Sequence, residues 1–179
     1  MDCGNRLVQF GPRRHLLVFE TDVKGFGLKT DVFVDCGSFV CEYAGELISR
    51  EEAKRRSRND SINYIFVLIV YFVPSSISRS CGEKEHYVNS TTETIVDPTC
   101  VGNIGRYIKH SCQPNAAIVP VRIDSPISRL AVFSVRDIQA GEEITYDYAS
   151  GGSGIGKTSC LCGTAKCRGF LPFDKDLLN

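Results

Sequence analysis

The sequence lacks an excess of charge, a long apolar stretch and an apolar N-terminal segment, and each absence excludes a class of protein. Lysine and arginine total 21, as do aspartate and glutamate, so nothing supports tight, sequence-specific nucleic-acid binding. No apolar run is long enough to cross a bilayer. Residues 1–15 have no apolar core of the kind found in a secretory signal. The sequence therefore predicts neither a membrane protein nor a secreted one.

The apolar residues form short β-rich runs instead of long periodic helices. With 179 residues, the chain can build one domain with a real core. The clearest helix candidate is 49–59, where Ser49 can cap and acidic residues precede basic ones. Its KRRSR run is either a nuclear-import patch or, as we prefer, the solvated face of a helix. A mostly β fold with small sheets is predicted from the runs at 16–19, 31–34, 38–45, 63–73, 94–97, 116–123, 129–138 and 143–148.

Eight of the nine cysteines, all except Cys3, divide into two groups. An odd number without a secretory signal argues against a disulfide framework. Four of them are interpreted as small, buried or half-buried apolar side chains, namely Cys36, Cys41, Cys81 and Cys100. A C-x-C-x4-C pattern has the spacing of zinc ligands, although three thiolates leave a tetrahedral ion one ligand short. The pattern comprises Cys160, Cys162 and Cys167.

Three motifs follow one another in a distinctive order. KGFGL occupies 24–28, RYIKHSCQPN occupies 106–115, and GEEITYDY at 141–148 precedes the cysteines of CLCGTAKC at 160–167. Together they resemble the SET-domain family of protein-lysine methyltransferases, in its class with a cysteine-rich post-SET tail. The resemblance implies a mostly β fold with small curved sheets and few short helices. It also implies a knot-like threading of the C-terminal segment and a zinc-bound tail.

The resemblance also implies a division of the chain. Residues 16–149 would form the SET domain, with an atypical insert at about 69–80 that is either a genuine loop or a translated non-coding segment. Residues 1–15 would be a remnant of a pre-SET module, and 150–179 a linker and the post-SET zinc tail. On this interpretation the chain is a truncated copy, a fragment or an incomplete gene model.

The activity implied by the resemblance is methyl transfer from S-adenosylmethionine to lysines of histone tails, in the nucleus on the chromosome. The peptide would bind as an added strand. Tyr148 matches the catalytic channel tyrosine and Tyr43 a second channel residue, whereas Tyr146 matches the position that limits methylation, here to mono- or dimethylation. The fourth zinc ligand would be Cys112. Contacts to the methyl donor would come from Lys24, Gly25, Phe26, Tyr64, Arg106, Lys109, His110 and Leu161.

Lys109 departs from the family pattern, which has asparagine at this position. A lysine here brings a positive charge towards a sulfonium and removes an amide. Lost hydrogen bonds to a charged group cost about 1.5–3 kcal/mol, so we expect weakened donor binding. A second hypothesis is therefore a non-catalytic SET-like interaction module in chromatin. A third, a zinc-binding structural or nucleic-acid module, has only the cysteine tail in its favour.

Overall fold

The chain is mostly β, as the sequence predicts. The computed structural model describes residues 4–12, 15–59, 64–72, 90–148 and 154–173. Within these ranges the helices are α1 (Arg50–Asn59) and two 3-10 helices, Gly4–Phe10 and Ile104–Tyr107. The strands are β1 (Leu16–Thr21), β2 (Gly25–Thr30), β3 (Phe39–Glu42), β4 (Gly45–Leu47), β5 (Phe66–Phe72), β6 (Ser90–Gly102), β7 (Lys109–His110), β8 (Ala116–Val121), β9 (Arg129–Ser134), β10 (Thr145–Tyr146), β11 (Gly154–Ser159) and β12 (Phe170–Phe173).

The strands form five small sheets. Two have three strands, in the orders β3–β9–β8 and β4–β6–β5, and three are pairs, β1–β2, β7–β10 and β11–β12. All of these pairings are antiparallel except β7–β10, which is parallel. A parallel pair needs a long connection between its strands. Here that connection contains β8 and β9, so two distant motifs are brought side by side.

Helix α1 confirms the predicted helix. The Ser49 hydroxyl accepts a hydrogen bond from the Glu52 amide at 3.2 Å, which satisfies one of the free donors of the first turn. The basic face binds the neighbouring sheet, because Arg56 donates to Glu46 at 2.8 Å and to Asp97 at 2.7 Å. No helix among the described residues is long and apolar enough to span a membrane.

Several element boundaries differ from the prediction. The run at 31–34 is not a strand, and only Val34 makes an isolated bridge, to Ile138. The run at 38–45 divides into β3 and the start of β4. KGFGL, the first of the three motifs, largely belongs to β2, which pairs with β1 along its whole length. Despite their strand propensity, residues 31–34 do not form a strand, because the chain bends there before β3.

The predicted insert and linker are partly strand. Residues 69–72 continue β5 and pair with β6, from Ile69 opposite Glu93 to Phe72 opposite Ser90. The rest of the predicted insert lies outside the described residues. Residues 154–157, within the glycine-rich segment predicted as a linker, belong to β11, which pairs with β12. Backbone pairing with β12 therefore orders a segment whose composition alone favours a coil.

The core lies where β2, β3, β9 and the segment before β10 meet. Its fully buried members include Leu28, Val40, Val132 and Ile144. Cys41 is also buried there, as predicted. Two other cysteines contradict the prediction of burial, because Cys36 and Cys100 are exposed, and Cys81 lies outside the described residues. The exposed pair lies in a turn and near the end of β6, away from the packed faces.

Candidate functional site

Three tyrosines from distant parts of the sequence meet around one point. The ring centroids of Tyr146 and Tyr148 are 4.8 Å apart, and those of Tyr43 and Tyr146 are 6.2 Å apart. Phe66 packs 5.8 Å from Tyr43 and 6.2 Å from Tyr146. Tyr43 and Tyr146 are each only 4% exposed. We call these four residues the tyrosine cage.

The cage is neutral and lined with oxygen atoms. The Tyr148 hydroxyl donates to the carbonyl of Ile108 at 3.0 Å, and the Tyr43 hydroxyl donates to the carbonyl of Tyr64 at 2.5 Å. Burial raises the pKa of Tyr43, Tyr146 and Tyr148 above the ordinary value of 10.0. All three phenols therefore remain protonated at neutral pH. Such a cage accepts a cationic or amine-bearing chain through aromatic faces and oxygen acceptors.

The parallel pairing of β7 with β10 positions two of the cage tyrosines. Lys109 lies opposite Thr145, and His110 opposite Tyr146. The Ser111 amide extends the pairing by donating to the Tyr146 carbonyl at 3.1 Å. The HSC motif and the YDY motif are thus joined backbone to backbone.

Asn115 fixes the same two segments from a fully buried position, with 1% of its surface exposed. Its carbonyl oxygen accepts from the Thr145 amide at 2.8 Å. Its amide nitrogen donates to the Glu143 carbonyl at 2.8 Å and to the Glu142 carboxylate at 3.0 Å. One side chain therefore holds the start of β10 by both ends of its amide.

His110 connects the tyrosines to the cysteine tail. Its Nδ1 accepts from the Tyr148 amide at 3.2 Å, so Nε2 carries the proton and donates to Cys112 Sγ, also at 3.2 Å. Burial is the largest influence on its pKa and lowers it below 6.5, assisted by Arg168 and opposed by Asp147. Arg168 in turn donates to Asp147 at 2.5 Å. The neutral imidazole therefore connects the backbone at Tyr148 to the thiol of Cys112 through its two ring nitrogens.

The four cysteines Cys112, Cys160, Cys162 and Cys167 form one cluster. Their sulfur atoms all lie within 4.8 Å of one another, and Cys112 Sγ is 3.8 Å from Cys160 Sγ. Three of the cysteines lie in the turn between β11 and β12, where the Cys160 amide donates to the Gly169 carbonyl at 2.8 Å. The arrangement can hold a metal ion.

Lys24, directly before β2, forms a partly buried ion pair with Glu143, shortly before β10. Lys24 Nζ lies 2.6 Å from Glu143 Oε2, and both side chains are mostly buried. Gly25 follows with a φ of +68°, which lies in the left-handed region that glycine adopts without strain. The second carboxylate oxygen, Glu143 Oε1, is buried and has no hydrogen-bond partner among the described residues. A buried acceptor without a partner is costly, which marks this place for a donor group.

Lys109, opposite Thr145 on β7, is the second lysine whose charge interacts with this carboxylate. Its side chain is half-buried on β7. Burial is the largest influence on its pKa and lowers it, with Lys24 acting in the same direction and Glu143 opposing both. We call Lys24, Lys109 and Glu143 the charge cluster. It holds two cations against one carboxylate.

An exposed aromatic and a stacked arginine stand at the rim. Arg106 donates to the carbonyls of Pro98 at 3.3 Å and Thr99 at 3.4 Å. Its guanidinium lies 4.9 Å from the ring centroid of Tyr107. Phe26, 55% exposed, meets the same ring edge-on at 6.1 Å. The rim thus offers a flat apolar face next to fixed polar groups.

The structure brings most of the sequence-predicted residues together and adds others. Tyr43, Tyr146 and Tyr148 share the cage, and the four predicted cysteines share one cluster. Tyr64 contributes its carbonyl to the cage, whereas Leu161 is 53% exposed between two cysteines. Sequence reasoning missed four residues with clear roles in the geometry. Two of them, Glu143 and Asp147, lie inside a recognised motif and could have been found there; Phe66 and Arg168 carried no such signal.

Comparisons with known proteins agree with this geometry. A model of the SET domain family matches residues 25–149. The chain is 41% identical over 192 aligned positions to the histone-lysine N-methyltransferase SETMAR of Bos taurus, covering 98% of this chain and 58% of that protein. It is 40% identical over 175 positions to the probable histone-lysine N-methyltransferase set-23 of Caenorhabditis elegans, covering 95% of this chain and 66% of that protein.

A solved structure gives the same result. The crystal structure of the methyltransferase domain of human SETMAR superposes with a TM-score of 0.80 at 40% identity, covering 96% of this chain and 63% of that chain. The chain spans only part of its curated relatives, down to 26% of the human SETMAR protein. The similarity therefore concerns their SET-bearing portion.

Proposed function

Because the chain belongs to the SET-domain family, we propose that it is a protein-lysine methyltransferase that uses S-adenosylmethionine. The observation that carries the proposal is the tyrosine cage, a buried and neutral channel wall next to the charge cluster. The relatives named above are histone-lysine methyltransferases, so a lysine of a histone tail is the substrate we favour. On the same ground we propose a nuclear, chromosomal location.

The cage prepares the substrate lysine for reaction. An ammonium has no lone pair, so the lysine must lose a proton before it can accept a methyl group. A desolvated aromatic channel lowers the pKa of a lysine. Tyr148, fixed by its bond to the Ile108 carbonyl, and Tyr43, fixed by the Tyr64 carbonyl, hold the channel in one geometry. We assign Tyr148 and Tyr43 as channel residues that align the amine with the donor.

Tyr146 limits how many methyl groups fit. Its ring contacts the other three rings of the cage, those of Tyr43, Phe66 and Tyr148. Its hydroxyl occupies space that a methylated amine would need and can hold an amine or water there. We therefore propose mono- or dimethylation.

The charge cluster and the rim fit the donor. S-adenosylmethionine supplies an electrophilic methyl group on a sulfonium, together with an ammonium, a carboxylate and an adenosine. The unpartnered Glu143 Oε1 suits a donor N–H, the left-handed Gly25 permits close backbone approach, and Phe26 with Arg106 suits the aromatic base. Contacts are proposed for Lys24, Gly25, Phe26, Tyr64, Arg106, Lys109, His110 and Leu161.

We also propose that the four-cysteine cluster binds zinc. Tetrahedral zinc with Zn–S bonds of about 2.3 Å separates its sulfur atoms by about 3.8 Å. The Cys112–Cys160 separation is 3.8 Å, and the remaining thiols lie close enough to close around an ion with little movement. A cluster of this kind would tie the β11–β12 tail to the HSC segment and order the tail on metal binding. We accordingly divide the chain into a SET domain at 16–149 and a post-SET tail at 150–179.

The experiment combines transfer and binding. Purified protein is incubated with histone octamers and S-adenosylmethionine carrying a radiolabelled methyl group, and donor binding is measured by calorimetry. Tyr148→Phe should lower methyl transfer by about a hundredfold, the scale of losing one positioned polar group, with donor affinity little changed. Undiminished transfer in Tyr148→Phe would contradict the assignment. Mass spectrometry of the labelled histone gives the number of methyl groups added.

Lys109 favours a second candidate, a SET-like interaction module in chromatin that does not transfer methyl groups. Lys109 is the second cation of the charge cluster and leaves it with a net positive charge, which opposes binding of a sulfonium. This candidate predicts binding to histone peptides without labelling, and no labelling after Lys109→Asn. Labelling by the wild-type protein would exclude it.

A further inference from the structure

The net charge of the charge cluster affects which ligand the donor pocket prefers. Lys24 already occupies Glu143 Oε2 at 2.6 Å. Lys109 lies on β7 opposite Thr145, two residues after Glu143, and its charge interacts with those of Glu143 and Lys24. With two lysines and one carboxylate, the cluster carries one uncompensated positive charge. Because these side chains are half-buried or more, solvent screens that charge only in part.

Methyl transfer changes the charge of the molecule bound beside this cluster. The bond from sulfur to the methyl carbon breaks and its electron pair stays on sulfur, so the sulfonium becomes a neutral thioether. The lysine lone pair forms the new bond to carbon. The donor and its product therefore share every contact to adenosine and to the amino-acid end, and differ by one methyl group and one positive charge.

We propose that Lys109 makes the pocket favour the neutral thioether over the sulfonium, so that S-adenosylhomocysteine binds tightly relative to S-adenosylmethionine. The proposal rests on the proposed function, because it requires that the charge cluster faces the donor. A neutral side chain at position 109 would leave Lys24 and Glu143 balanced and remove the preference.

The ratio of the two dissociation constants tests the proposal. Calorimetry with the full chain gives the constants for both ligands in wild type, Lys109→Gln, Lys109→Arg and a control, Lys54→Gln, in which the lysine on α1 is neutralised. A loss of pocket structure raises the dissociation constants of both ligands by the same factor, whereas a charge effect changes the ratio of the two constants. We expect the donor-to-product ratio to fall about tenfold in Lys109→Gln, equivalent to ~1.4 kcal/mol. It should stay at the wild-type value in Lys109→Arg and in the Lys54 control.

Two negative outcomes have different meanings. Binding of both ligands with the same ratio in wild type and Lys109→Gln would overturn the inference and leave the proposed function standing. Failure of wild type, Lys109→Gln and Lys109→Asn to bind either ligand, with all three folded by circular dichroism, would overturn the proposed function and the inference with it. If Lys109→Gln does not fold, an altered ratio in Lys109→Arg would still refute a charge effect.

Discussion

Replacement of Asn115 by alanine should destabilise the fold, because this side chain holds the start of β10 in place. The side chain makes two neutral hydrogen bonds, with the Thr145 amide and the Glu143 carbonyl, and one to the Glu142 carboxylate. Neutral bonds contribute about 1 kcal/mol each and a bond to a charged group about 1.5–3 kcal/mol. We therefore expect Asn115→Ala to lower the free energy of unfolding by about 4 kcal/mol, a large part of the 5–15 kcal/mol typical of a domain.

Urea denaturation measures this loss directly. The matched control is Arg136→Ala, which removes another partner of Glu142, but from a side chain that is 52% exposed. Exposed ion pairs contribute less than about 1 kcal/mol, so the control should unfold close to wild type. Asn115→Asp should be destabilised as strongly as the alanine variant at pH 7, because it sets a second carboxylate beside Glu142. Equal midpoints for Asn115→Ala and Arg136→Ala would refute the reasoning.

Three further predictions concern the metal, the backbone and pH. Cys112→Ser should lose the bound zinc measured by elemental analysis after dialysis, whereas Cys36→Ser, outside the cluster, should retain it. Gly105→Ala should lower stability in urea by about 1–3 kcal/mol, because a Cβ there would lie 2.6 Å from the Glu42 carbonyl oxygen; wild-type stability would show that the backbone relaxes. Burial raises the pKa of Asp97, but hydrogen bonds from Thr99 and an arginine outweigh it and hold the pKa below 3.8. A carboxylate whose pKa is lower in the folded than in the unfolded protein stabilises the fold at pH values above its unfolded-state pKa. This stabilisation is lost as the pH falls through its folded-state pKa. The difference in free energy of unfolding between wild type and Asp97→Asn should therefore be constant above about pH 5 and shrink below about pH 4.

The sequence predicted the elements whose stability is local. Helix α1 carries its own cap and charge pattern, so Ser49 and the following acids were enough to identify it. Strands β8 and β9 are likewise visible as β-rich apolar runs. The pairing of β7 with β10 was not predictable by pattern, because each strand has two residues and its stability comes from tertiary contacts such as those of Asn115. Strand β11 was not predicted either, because its glycine-rich sequence favours a coil and its strand structure depends on backbone pairing with β12.

The candidate site was predictable where residue types are distinctive and unpredictable where a residue acts through its surroundings. Thiol spacing indicated Cys160 and Cys162 from chemistry alone. Glu143 is different, because an acid in a turn before a strand is usually solvated. The motif at 141–148 marks its position, but its role appears only in the structure, where Lys24 binds one carboxylate oxygen and the other is buried without a partner among the described residues. The family pattern marks Lys109 as a departure, but only the structure shows that its charge interacts with Glu143 and Lys24.

The position of His110 explains why the tail and the cage belong to one site. Its two ring nitrogens bind different partners, the Tyr148 amide on one side and Cys112 Sγ on the other. A thiolate bound to metal is a stronger acceptor than a free thiol, so metal binding at the proposed site would fix the imidazole. The imidazole in turn holds the backbone that carries Tyr148. Arg168 adds a second path, since its amide donates to Cys112 Sγ at 3.3 Å while its guanidinium holds Asp147 between the two tyrosines. Loss of the tail should therefore disturb the alignment of the cage and not merely expose it, because the two paths end at Tyr148 and Asp147, in the segment directly after β10.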